Sequence, residues 1–144
     1  MTRLTKSMSQ TMTTAAAVLL VTAGVASAQS TMKAEVPFAF TVGNKVMEPG
    51  TIRVRLVSEN SMALIVNNQA THESYMALPK SVGNAPKNWA ESGLPKLGFD
   101  CSEGTCILAR VWRGTGYTYE LHGPKTRHGE VHLTEIALKA DKGD

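Results

Sequence analysis

Three groups of residues in this 144-residue chain have the types and spacing to do chemistry. The first is a cysteine pair, Cys101 and Cys106, the only cysteines present. Their C-x4-C spacing is not the C-x-x-C of dithiol redox sites, and no second pair completes a zinc site. Flanking a short loop on adjacent strands, the two thiols would face one another, and in an oxidising compartment they are expected to form a disulfide. The second group is His122, His128 and His132, with His72 more distant. On a helix, the His128-x3-His132 spacing puts both rings on one face. On a strand it leaves them roughly 13 Å apart, too far for one ion. Gly123, Pro124 and Gly129 make the segment loop-like and no HExxH pattern accompanies it, so surface histidines are expected, with no metal and no cofactor.

The third group is aromatic. Trp89 stands in a polar stretch, while Trp112, Tyr117 and Tyr119 bracket the Gly114-Thr115-Gly116 turn beside Arg110 and Arg113. Trp, Tyr and Arg are the residues that dominate binding hot spots, and rings beside guanidinium groups could stack on a sugar or peptide. The competing expectation is that they pair across strands or plug a core, as rings in sheets commonly do. Nucleophilic catalysis finds no support. No serine sits in a G-x-S-x-G elbow, and a disulfide would leave no free thiol. The carboxylates of Glu73, Asp100, Glu103 and Glu120 are scattered along the chain, so no facing acid pair can be read from it.

The elements that position these groups begin after a leader. Arg3 and Lys6 form a cationic start, Ala15 to Ala26 is apolar, and Ala26-Ser27-Ala28 matches a small-x-small cleavage site. That layout predicts a cleaved signal peptide over 1–28, a mature chain from Gln29 and a periplasmic or secreted location. Arg3 and Lys6 are the leader's only ionised side chains, so of the 15 basic residues 13 remain against 12 acidic ones, a net of +1. A near-neutral chain without a basic patch excludes a nucleic-acid partner. No later apolar run is long enough to cross a bilayer as a helix. About 116 residues remain, enough for one domain over 29–144.

Within that domain, Val36, Phe38, Phe40 and Val42 recur at every second position, as do Ile52, Val54 and Leu56 after the turn residues Glu48-Pro49-Gly50. Period two means strands with one apolar face. Further strands are expected at Met62–Val66, Glu73–Pro79 and Tyr117–Leu121. A hairpin is expected from Leu97–Cys101 and Cys106–Trp112 across a four-residue loop. Lys80 to Pro95 reads as the longest irregular segment. Between Leu133 and Ile136 the alternation slips phase, which predicts a bulge there or a helical end. The sum is an all-β domain, an antiparallel β-sandwich or small β-barrel of about seven or eight strands. An outer-membrane barrel fits poorly, because the strands are short and aromatics sparse.

Val36-Pro37-Phe38-Ala39-Phe40-Thr41-Val42-Gly43, the Pro49-Gly50-Thr51 turn and Ala109-Arg110-Val111-Trp112 together resemble a family of small secreted proteins of acidobacterial type. That family carries a PFxFxVG strand and a PAGTY-like turn. The chain departs from the pattern at Glu48-Pro49-Gly50-Thr51-Ile52 and in having the cysteine pair. The resemblance implies export and an all-β fold, and brings no active-site residues with it. The expected function is a non-catalytic binding or structural module of the cell envelope, engaging a protein or glycan through 80–95 and 113–116. The alternative is a small hydrolase or metal-dependent enzyme using His122, His128 and His132.

Overall fold

Alternation of apolar and polar residues becomes a two-layer β structure in the computed structural model, which describes residues 31–58, 60–123 and 129–141. The expected signal peptide, Gln29 and His128 lie outside the described residues. In chain order the elements are β1 (Met32–Val36), β2 (Phe40–Val42), β3 (Lys45–Met47), β4 (Gly50–Leu56), β5 (Leu64–Asn68), β6 (Ser74–Ala77) and β7 (Pro79–Gly83). Then come α1 (Lys87–Ser92), β8 (Lys96–Ser102), β9 (Thr105–Trp112), β10 (Thr118–Leu121), β11 (His132–Ala137) and β12 (Lys139–Ala140). One sheet has the order β12-β1-β4-β5-β6. The other runs β11-β8-β9-β10-β7, with β2 paired to β9 and β3 to β2. The domain is therefore an all-β sandwich and not a closed barrel, with twelve strands among the described residues where the sequence suggested seven or eight.

Pairing is antiparallel except between β2 and β9, which run parallel through Phe40↔Cys106 and Thr41↔Ile107. With β8 along one edge, the long β9 shares its other edge between two strands: β10 takes its far end through Thr118↔Trp112 and Glu120↔Arg110, and β2 takes its start. Between the layers lies one apolar core, filled by Val36, Ile52, Val54, Leu64 and Val66 from the smaller sheet. From the larger sheet come Phe40, Val42, Leu97, Phe99, Leu108 and Val111. Phe99 is its aromatic centre, meeting Phe38 and Phe40 edge-on at centroid distances of 5.0 and 5.1 Å, the orientation that ring quadrupoles favour.

The alternating run at 36–42 is two strands rather than one. Pro37 supplies no ladder donor, and at Pro37–Ala39 the chain passes from the smaller sheet to the larger. The period survives because both sheets turn their apolar faces to the same core: Val36, Phe40 and Val42 are buried, Phe38 partly so. The chain changes sheets again at Leu78, between β6 and β7, and at Leu138, between β11 and β12.

Two expectations need correction. The stretch from Lys80 to Pro95 is not irregular: β7 runs to Gly83 and α1 spans Lys87–Ser92. A six-residue helix is far too short to hold itself together. No side chain caps its N-terminus and its Lys87–Glu91 ion pair is exposed at 4.0 Å, a contact worth only tenths of a kcal/mol. What holds it is Trp89, its one buried residue. The tail is neither bulged nor helical, since β11 pairs with β8 without a break from His132↔Cys101 to Ala137↔Lys96. The phase slip arises because Leu133 faces outward and is 47% exposed. A bulge does occur, in the β8–β9 pairing: Gly98 faces Arg110 while Phe99 faces Leu108. The extra residue lets Leu108 and Val111 both enter the core although they are three apart.

The cysteine hairpin forms with a tighter turn than expected. Strands extend to Ser102 and from Thr105, leaving Glu103 and Gly104 as a two-residue loop with φ of 50° and 78°, the positive values that type I′ hairpin turns use. Cys101 and Cys106 are directly opposite and joined by a disulfide. Because the closed loop is so short, chain entropy assigns this bond only about 2 kcal/mol. The double substitution of both cysteines by serine should lower the unfolding free energy measured in urea by that amount, shifting the midpoint down, and leave the fold intact. An unchanged midpoint would mean the turn alone closes the hairpin.

Candidate functional site

The aromatic residues singled out by type occupy three different environments. Trp89 comes down from α1 onto the outer face of the larger sheet, where it is 1% exposed. Its ring stacks on Trp112 of β9, with centroids 6.4 Å apart and planes 26° from parallel. Beneath it lies Gly98, where a β-carbon would stand 2.9 Å from the edge of the indole, so a side chain on β8 would push the ring off the sheet. Trp89 Nε1 donates to Glu135 Oε1 at 2.6 Å. Glu135 also pairs with Lys96 at 3.6 Å, and the Lys96 ammonium sits 6.0 Å from the Trp89 centroid. Trp112 is 3% exposed, and its Nε1 has no hydrogen-bond partner among the described residues. The two tryptophans are brought together, but they face each other and not solvent.

Arg110, on the same outer face, pairs with Glu120 of β10 at 3.7 Å, and Glu120 accepts a hydrogen bond from Ser81 Oγ at 3.0 Å. Arg113 is half-buried just past the end of β9. Tyr119 points the other way and packs against the core. Only Tyr117 presents most of its surface, at 59%. Hence the six residues do not form one open face.

The histidines are likewise dispersed. β10, which leads to His122, and β11, which begins at His132, have β8 and β9 between them, a separation of roughly 14 Å at the usual strand spacing. Among the described residues no three His, Cys, Asp or Glu side chains gather closely enough to hold a metal ion.

A concave site is assembled instead where the two sheets meet beside β6. Three separated segments build it: the β2–β3 turn at Gly43 and Asn44, the β6 strand with its corner at Leu78, and the end of β10 running into His122 and Gly123. Tyr75 lies at its centre. It pairs in register with Val66 and leans on the core from the sheet edge. Its phenol ring crosses directly over Gly43, so closely that any β-carbon there would overlap it. Gly43 also has φ of 59°, so glycine is needed both for the turn and for the ring.

On one side of Tyr75 is an open hollow of about 510 Å³ bordered by Thr41, Asn44 and His122. On the other is a smaller one of about 140 Å³ between Met76, Leu78 and His122. Met76 and Leu78 are 58% and 67% exposed. Among the described residues the lining carries no Asp, Glu, Lys or Arg. The His122 side chain makes no hydrogen bond or ion pair to any described residue. Hydroxyl, amide, phenol and imidazole groups around an apolar rim can orient a neutral polar molecule and cover its apolar faces. Residue types could not reveal this place, because Gly43, Tyr75 and His122 share no local pattern.

Comparison with protein-family models, with curated proteins and with solved structures finds no match.

Proposed function

We propose that the chain is a non-catalytic binding module of the cell envelope, exported by its signal peptide, and that it takes a neutral glycan in the hollow around Tyr75. The observation that carries this reading is the lining itself: hydroxyl, amide, phenol and imidazole side chains at Thr41, Asn44, Tyr75 and His122, edged by exposed Met76 and Leu78. A sugar ring offers the matching chemistry, with hydroxyls around its edge and C–H groups on its faces. The disulfide supports an oxidising compartment, where such bonds persist. Export and a periplasmic or secreted location agree with it.

The test is His122→Ala against a soluble tetramer of N-acetylglucosamine, with affinity measured by calorimetry. His122 is exposed, so the variant should melt with the parent. Loss of one hydrogen bond should weaken binding about fivefold, near 1 kcal/mol. Unchanged affinity would remove His122 from the site, and no binding by the parent would end the glycan reading.

A further inference from the structure

The outer face of the smaller sheet holds a second hollow, of about 200 Å³, lined by Thr31, Arg53, Arg55, Ile65 and Asn67. Its two arginines differ. Arg53 is held from both sides: its Nε lies 2.8 Å from Asp141 Oδ2, and the Gln69 amide, turned with its oxygen inward, accepts from Nε at 3.2 Å. Asp141 is 8% exposed and Lys33 lies 4.0 Å from its other oxygen, so this one carboxylate already serves two cations. The Arg55 side chain has no hydrogen bond or ion pair to any described residue. Among the described residues this guanidinium has no counter-charge, and the charged side chains beside the hollow, Arg53, Lys33 and Asp141, sum to a positive balance.

Asn67 gives the hollow its second polar group. Its Nδ2 donates to the Glu73 carbonyl at 3.3 Å and to Ser74 Oγ at 2.6 Å. A carbonyl can only accept, so the amide orientation is set and Oδ1 is left as an acceptor. Arg55 pairs across the strands with Ile65, and Arg53 with Asn67. The donor fork of Arg55 and the acceptor of Asn67 are therefore diagonal neighbours, roughly 7–8 Å apart at Cα, with Ile65 between them as an apolar wall.

We propose that this hollow binds a carboxylate that has an N–H group on the adjacent carbon, as an acylated amino acid or the C-terminal residue of a peptide does. Arg55 takes the carboxylate through two parallel N–H···O bonds. Asn67 Oδ1 accepts from the N–H, and Ile65 covers the side chain. A bare anion would use only Arg55 and leave Asn67 without a donor.

The probe is N-acetyl-L-valine, followed by ¹H–¹⁵N spectra of the mature chain up to about 20 mM ligand, the range for a single small fragment. Saturable shifts are expected at Arg53, Arg55 and Ile65. The methyl ester of the probe, which lacks the charge, should bind at least about tenfold more weakly, and so should the parent probe to Arg55→Gln. Arg55→Lys keeps the charge without the fork and should fall between. The proposal is overturned if no saturable shift appears, if inorganic phosphate or the ester reproduces the response, or if a folded Arg55→Gln binds as the parent does. These residues are separate from Tyr75 and His122, so either site can fail without the other.

Discussion

Replacing Trp89 with alanine is expected to cost about 3–5 kcal/mol, the usual range for removing a fully buried aromatic side chain. The ring is the sole buried residue of α1 and is held between Gly98 below and Trp112 alongside. Removing it takes away the stack, leaves Glu135 without its indole donor, and undocks a helix too short to survive alone. Set against a typical total of about 5–15 kcal/mol, the loss brings the domain close to its unfolding threshold at ordinary temperatures. Trp89→Phe separates the contributions: it keeps most of the buried area, gives up the hydrogen bond to Glu135, and should cost about 1–2 kcal/mol. Urea denaturation of both variants checks this. A loss below about 1 kcal/mol for the alanine variant would mean that the ring is not a packing element, and would return it to the ligand-contact role its residue type first suggests.

Asn68→Ala is expected to cost about 3 kcal/mol, more than a turn residue at a strand end would suggest. Asn68 is completely buried. Its Nδ2 donates to the Glu48 carbonyl at 2.8 Å, and its Oδ1 accepts from the Ala70 and Thr71 amides at 2.9 and 3.2 Å. One side chain thus ties the β5–β6 turn to the Glu48-Pro49-Gly50 turn that leads into β4. Alanine would remove three part-buried hydrogen bonds at once, to the Glu48 carbonyl and the Ala70 and Thr71 amides, each worth about 1 kcal/mol. Thermal and urea unfolding report the total. Hydrogen exchange should localise the damage, with protection lost first at Ala70 and Thr71. A loss under about 0.5 kcal/mol would show that water enters and replaces all three bonds.

These residues show which physical signals reach the level of sequence. Alternation did: Ile52, Val54 and Leu56 face the core as their spacing requires, and the all-β class follows from such runs. The cysteine pair was also legible, because a short loop between alternating strands leaves few ways to place two thiols. β1 was harder to read. Its inward set is Met32, Ala34 and Val36, and a small alanine between Lys33 and Glu35 weakens the contrast on which periodicity depends. α1 has one buried side chain in six residues, too few to show a helical period at all. Asn68 looked like turn punctuation, since burial and partners 20 residues away have no local trace. The candidate site was hidden for the same reason, its three segments meeting only once β2, β6 and β10 are in place. Trp89 and Trp112 drew attention by type, and type does not distinguish a ring under a helix from a ring facing a ligand.

The most direct test of the binding reading is the ¹H–¹⁵N spectrum of the mature chain titrated with the N-acetylglucosamine tetramer. The amides of Gly43, Asn44, His122 and Gly123 should shift together with one saturation curve, while the indole N–H signals of Trp89 and Trp112 stay in place. Movement of the indole signals with Gly43 and His122 unchanged would put the ligand on the tryptophan face and contradict the account, and a spectrum that does not change at all would contradict it equally.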